Sequence, residues 1–290
     1  MLVASLLRLS DNSCNTAESE RVLLQFKKFS ELFLLYERKG LHVKALNLLK
    51  EQADVEESPL NGLDRSIHYL QNLGQENADV VFHFAKWIFK RNPREALKIF
   101  TEDCETVKEL DRSRVLAFLV QESAESVIVY LEHIIDQWNE EEQKYHNFLA
   151  EMYISKVKCL YNGYSDALRS NQRVTVAGEE PGELGVYRRK LLNFLSTSER
   201  YNPEILLVQL PFEFLFEERA VLLGRLRRHE QVLAIYCNIL HDFRQAEQYC
   251  SRNYRADSSD ESKLFLKLLK IIFNSLLAFT PRQLLWCDLV

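Results

Sequence analysis

The sequence predicts an all-α fold, an α-solenoid of antiparallel helical hairpins, and three observations lead there. The first is Ser30 to Gln52, SELFLLYERKGLHVKALNLLKEQ, which reads as two amphipathic helices folded back about Gly40. Leu32, Leu35, Tyr36 and Lys39 line one side of the first helix, and Leu41, Ala45, Leu48 and Leu49 follow helical spacing in the second. Gly40 supplies the permissive backbone of a short connection, and Ala45 is small enough for the arms to approach closely. The second observation is recurrence. LHVKALNLL aligns with NPREALKIF when Ala45 is set on Ala96, and with HEQVLAIY when Val232 takes the same place, so that His42 meets His229 and Leu46 meets Leu233. The third is the scarcity of turn formers. With 8 Gly and 6 Pro in 290 residues, long helices with short connections are favoured over sandwiches or barrels. One hairpin cannot bury both of its apolar stripes, so neighbours must cover them, and a stack of pairs grows without the size limit of a single core.

In chain order, MLVASLLRLS is apolar but short and has no basic region before it, which reads better as a helix than as a signal peptide. Thr16 to Phe29 is expected as a helix with Asn15 and Glu18 as a capping box. ADVEESPLNGLD is a loop. Arg65 to Leu73 is helical and is ended by Gly74. Asp79 to Lys90 places Val80, Val81, Phe84, Trp87 and Ile88 on one broad face, with Trp87 read as core packing. Asn92-Pro93-Arg94-Glu95 then starts a helix with a cap residue, proline at the first position and an early acid.

Asp111 to Gln121 and Glu125 to Trp138 follow as helices, the second carrying Val127, Tyr130, Leu131, Ile134 and Ile135 inward. Asn139 to Glu142 is a solvated acidic run. Tyr145 to Tyr161 faces Phe148, Leu149, Met152, Tyr153 and Val157 inward. Arg169 to Gly185, RSNQRVTVAGEEPGELG, has no helical period and is expected as a flexible surface loop. Helix resumes at Tyr187, Leu191, Phe194 and Leu195, restarts at Asn202-Pro203, and over Phe212 to Arg219 enters the third hairpin. The expected organisation is therefore hairpin repeats over 1–168, the acidic, glycine-bearing loop 169–185, further repeats over 186–269, and a divergent apolar tail over 270–290. Lys267 and Lys270 interrupt the apolar residues around that tail, which argues against a transmembrane helix and for an apolar cap or a sticky end.

Composition narrows the function. At 47% hydrophobic and 27% charged residues the chain is an ordinary folded protein. Its net charge of −5 disfavours nucleic-acid binding, which needs an excess of Lys and Arg facing phosphate. Cys14, Cys104, Cys159, Cys237, Cys250 and Cys287 form no C-x-x-C pair and the histidines are dispersed, so no metal or redox motif is present. Scattered thiols and the lack of an N-x-S/T acceptor fit the cytosol. Gly178, Gly182 and Gly185 match neither phosphate-binding spacing, and Glu residues lie among them.

His229-Glu230 opens like H-E-x-x-H, but Leu233 stands where the second histidine would be. Glu217-Glu218 and Glu179-Glu180 are adjacent and, on a helix, point about 100° apart, whereas acid–base pairs must converge. His42 and His229 recur just past a turn, which suits capping or packing. The reading therefore names no catalytic, cofactor-binding or metal-binding residue, and no cofactor.

The strings SELFLLYERKGLHVKALNLL, HYLQNLGQEN, LKIFTED, RVLAFL, YLEHIIDQW, AGEEPGELGVYRRKLLNFL, EERAVLLGRLRRHEQVLAIYCNIL and AEQYC resemble the Vam/Vps family of vacuolar sorting subunits, from about Leu7 to Leu269. YLEHII at Tyr130 to Ile135 and the segment Glu179 to Tyr187 fall in the family's order. The resemblance implies a clathrin-heavy-chain-repeat-like solenoid within a subunit of the HOPS tethering complex, which joins late endosomes, autophagosomes and lysosomes before fusion. It implies other HOPS subunits and a Rab-seven-type GTPase as partners. The expected location is cytoplasmic, peripheral on the late endosome or lysosome.

Against that pattern the chain opens at Met1 inside the solenoid, carries neither the family's citron-homology propeller region nor its Cys/His zinc module, and departs from the family after Leu269, as a truncated form would. Two other readings stand beside this one: the paralogous early-endosomal tethering subunit associated with TGF-β receptors, and an enzyme with an unrecognised site.

Overall fold

A computed structural model describes residues 15–168, 177–255 and 261–283. The expected helix over the first ten residues and residues 169–176 of the expected loop lie outside them. Every regular element among the described residues is helical and none is a strand. The chain groups into two compact units, residues 1–137 and 138–290.

In the first unit the helices are α1 (Thr16–Gln25), α2 (Phe29–Arg38), α3 (His42–Gln52), α4 (Asp64–Gln71), α5 (Ala78–Arg91), α6 (Pro93–Thr101), the one-turn α7 (Glu105–Lys108), α8 (Arg112–Glu122) and α9 (Ala124–Asp136). Most pack on their neighbours in sequence, α1 on α2, α2 on α3, α5 on α6 and α8 on α9, while α4 packs chiefly on α6, which also meets α9. The predicted stripes point inward. Leu32, Leu35 and Tyr36 of α2 and Ala45, Leu46, Leu48 and Leu49 of α3 are buried, each large side chain contributing about 1.5–3 kcal/mol. Lys39, placed on the same stripe from its spacing, is exposed instead, because the helix has already ended there.

The turn at Gly40 closes α2 in a defined way. Gly40, at φ +66°, donates its N–H to the Glu37 carbonyl at 3.1 Å, and Leu41 donates to Tyr36 at 2.9 Å. This is a Schellman closure, which satisfies the last carbonyls of a helix through one left-handed residue. Lys27 repeats it at φ +51°, bonding to Leu24, with Lys28 bonding to Leu23. The helix expected over Thr16 to Phe29 is therefore two helices separated at Lys27. Asn15 does cap α1, accepting from Ala17 and Glu18, but the Glu18 carboxylate turns to Arg21 rather than completing a capping box.

Asn92 caps α6 as expected, accepting from the Glu95 N–H, with Pro93 at the first position. Its φ of −147° gives this hairpin an extended entry, not a left-handed turn. What the second copy shares with the first is the buried quartet Ala96, Leu97, Ile99 and Phe100. Phe82, Phe89, Phe100 and Phe118 join α5, α6 and α8 through ring pairs 5.5–6.4 Å apart. Trp87 is only half-buried. Its ring lies 5.0 Å beneath the Arg91 guanidinium, which also holds Asp54 in a two-point ion pair.

The second unit holds α10 (Gln143–Leu168), α11 (Glu183–Thr197), α12 (Pro203–Gln209), α13 (Phe216–Arg225), α14 (His229–Ala234) continuing as a π-turn over Ile235–Ile239, α15 (Phe243–Asn253) and α16 (Leu264–Gln283). Asn202 caps α12 as its Asn-Pro pair predicts. α13 starts four residues later than expected. Leu215, left-handed at φ +62°, turns its side chain into the core, whereas Phe212 remains 83% exposed outside the helix. α11 begins at Glu183, inside the expected loop.

Leu264 and Leu268 of α16 close a cluster with Leu233, Cys237, Ala246 and Cys250, while Phe265, Leu266, Leu269 and Phe273 face water. The residues just before the expected tail thus cap the last cluster on one side of α16 and stay exposed on the other. No helix among the described residues is long and apolar enough to cross a membrane.

Candidate functional site

The two histidines that the repeat alignment pairs do the same job in the structure. His42, first residue of α3, shares a 2.8 Å hydrogen bond between Nδ1 and the Tyr69 hydroxyl on α4. His229, first residue of α14, shares one of 2.7 Å with the Tyr249 hydroxyl on α15. The turns before them also match. Arg227 occupies the Gly40 position at φ +56°, donating to the Gly224 carbonyl, and Arg228 donates to Leu223. Burial, with Glu37 adding to it, pushes the Tyr69 phenol up to about 12. Burial likewise pushes Tyr249 well above its ordinary value. Both phenols therefore keep their protons and can serve as hydrogen-bond donors at neutral pH.

A groove of about 430 Å³ opens beside each clamp. In the first unit Phe33 stacks edge-on against Tyr69 at 5.4 Å, and Glu37, Arg65, His68, Asn72 and Leu73 also line the groove. In the second, the aligned positions hold Ala220 for Phe33 and Gly224 for Glu37. A side chain at Gly224 would touch the Tyr249 ring at 3.4 Å, so glycine lets that ring lie on the helix backbone. Tyr236 adds a second aromatic wall, and Arg252 stands on the rim. Arg225 is already engaged by the Ser196 and Ser198 carbonyls.

A second constellation lies under the described end of the expected loop. Arg188 of α11 donates from Nε to Glu218 at 2.8 Å, from one terminal nitrogen to Glu217 at 2.7 Å, and from the other to Glu180. Glu180 also accepts the Gly178 N–H at 2.7 Å. Gly185 makes this possible, since a Cβ there would stand 2.1 Å from the Glu180 carbonyl oxygen. Burial works against the charge on Arg188, but Glu218, Glu217 and Glu180 outweigh it and hold the guanidinium above its usual range. Burial pushes the Glu218 carboxyl up, and Arg188 pulls it back only in part.

These positions correct two expectations. Glu180 lies in the segment expected as a flexible surface loop, yet it is buried because a cation beneath it neutralises the cost. The adjacent acids Glu217 and Glu218 were expected to diverge, yet both reach Arg188, which bridges the angle between them with its planar fork. Both oxygens of Glu218 and one of Glu217 are engaged by that cation. His229 and Glu230 separate, His229 to Tyr249 and Glu230 towards Lys267 at 3.6 Å. Among the described residues no group of three or more His, Cys, Asp or Glu is arranged to hold a metal ion. Sequence reasoning singled out neither Arg188 nor the two tyrosines. The tyrosines stand 27 and 20 residues beyond their histidines, so no common spacing reveals them.

The family profile described as Vacuolar sorting protein 39 domain 1 matches residues 1–89. The Vam6/Vps39-like protein of Homo sapiens is 46% identical over 273 residues, covering 94% of this chain and 31% of that protein. The Vacuolar protein sorting-associated protein 39 homolog of Drosophila melanogaster is 41% identical over 271 residues, 93% of this chain and 29% of that protein. More distant is the Transforming growth factor-beta receptor-associated protein 1 of Homo sapiens, 26% identical over 280 residues, 93% of this chain and 30% of that protein. The chain spans about 30% of the length of these curated relatives. No solved structure matches it. At this level of identity along more than nine-tenths of its length, the chain is similar to one stretch of the Vam6/Vps39-like proteins.

Proposed function

We propose that this chain is the non-catalytic helical scaffold of a membrane-tethering subunit, working in late endosome–lysosome and autophagosome–lysosome fusion and in vesicle-mediated protein transport. The observation that carries the reading is the 46% identity with a Vam6/Vps39-like protein along 94% of the chain. A stack of helical pairs supports it physically. Such a stack offers a succession of ridges and grooves to protein partners and builds its core from neighbouring contacts alone. The converging carboxylates bound to Arg188, and the histidines bound to tyrosines, act as fastenings rather than as acid–base groups.

On this reading the partners are other HOPS-type tethering subunits, with a Rab-seven-type GTPase as the membrane-side partner. The chain associates with late endosomes and lysosomes peripherally from the cytoplasm, through those partners. Immobilised purified chain, challenged separately with late-endosomal and early-endosomal tethering subunits, tests the proposal. Saturable retention of the late-endosomal set is expected. Retention of the early-endosomal set alone would transfer the function to the TGF-β-receptor-associated relatives, and retention of neither would overturn the scaffold reading.

A further inference from the structure

We propose that the groove between α13, the π-turn and α15 is a docking site for a linear peptide that inserts one large apolar side chain and carries a carboxylate beside it. The floor is suited to the apolar group. Ala220 and Val221 form one wall, and the rings of Tyr236 and Tyr249, 6.3 Å apart, form the other. Gly224 carries no side chain, and the Tyr249 ring packs directly over its backbone, 3.4 Å from where a Cβ would stand. The site is held in shape before any ligand arrives. His229 fixes the Tyr249 hydroxyl, and Asn253 donates to the Tyr249 carbonyl at 2.9 Å, so little side-chain freedom is left to lose on binding.

The charge on the rim selects the neighbour of that apolar group. Two arginines and one carboxylate line the groove, and they are not equivalent. Arg225 is bound by backbone carbonyls and lies 3.5 Å from Glu199. Arg252 is exposed and has no carboxylate within ion-pair distance among the described residues. A guanidinium on an aromatic-walled groove matches a carboxylate in two-point geometry, and arginine and aromatic anchors supply most of the energy in such contacts. At about 430 Å³ the groove is of the size that receives one anchored side chain with its flanking backbone. The proposal does not depend on the tethering reading, since it follows from the lining of this groove alone.

The related groove beside Tyr69 provides an internal control. There Phe33 stands at the position of Ala220, Glu37 at that of Gly224, and the exposed arginine is Arg65. A short fluorescein-labelled Ser/Asp peptide with one central Trp, titrated with the whole chain and followed by anisotropy, is the test. Saturable binding is expected, weakened about tenfold or more by Arg252→Glu and unchanged by Arg65→Glu. Replacing Asp with Lys in the probe should restore binding to the Arg252→Glu chain, which shows that this variant is folded. Replacing Trp with Ala in the probe should abolish binding to the unaltered chain. Absence of saturable binding, equal affinity of the Arg252→Glu chain for the acidic probe, or equal weakening by Arg65→Glu would each overturn the assignment.

Discussion

Lys27 and Arg227 hold the same left-handed backbone as Gly40, although each carries a Cβ that this conformation disfavours by about 1–2 kcal/mol. Glycine marks only one of the three turns, so a reading keyed to glycine finds Gly40 and passes over Lys27. The space around Gly40 is open, and alanine there meets no atom within 4 Å. Gly40→Ala should therefore cost about 1–2 kcal/mol in denaturant unfolding, from backbone strain alone. Gly185→Ala should cost more, because the new methyl collides with the Glu180 carbonyl and must displace the segment that Arg188 anchors.

Glu218 gives a pH signature. Folding raises its pKa, so the folded chain holds that proton more tightly than the unfolded chain. The corresponding stabilisation is complete below the unfolded value and is lost as pH rises through the folded one. Thermal melts at a series of pH values should show this fall in the unaltered chain relative to Glu218→Gln, in which the slope assigned to this group disappears. A steeper slope in the variant would contradict the assignment.

The helical stripes could be read from spacing because burial imposes a 3.6-residue period on Leu32, Leu35 and Tyr36 and on Ala45, Leu48 and Leu49. The caps at Asn92 and Asn202 could be read because their chemistry is local. The fastenings between hairpins could not, since each joins residues whose separation depends on the intervening loop. Tyr69→Phe and Tyr249→Phe should each destabilise the chain by about 1 kcal/mol through the lost hydrogen bond to histidine. A combined variant should show nearly additive losses, because the two clamps share no residue. A coupling much larger than about 0.5 kcal/mol would mean that the clamps are not independent fastenings.

A chain whose helices pack mostly on their neighbours in sequence transmits damage over short distances. Leu32→Ala, at a wholly buried position, should cost about 2–5 kcal/mol of local stability. Amide exchange should then accelerate across α1, α2 and α3 and change little in α9 of the same unit. Uniform acceleration throughout the unit would indicate one indivisible core.

The buried Arg188 cluster also separates two kinds of electrostatics by solvent access. Mobile ions reach the exposed pairs Arg91–Asp54 and Arg114–Asp79 but not a guanidinium enclosed by Glu180 and Glu218. Raising the ionic strength should therefore leave the contacts around α11 and α13 intact while relaxing the surface pairs, so added salt acts as a selective solvent for one class of bond and not the other.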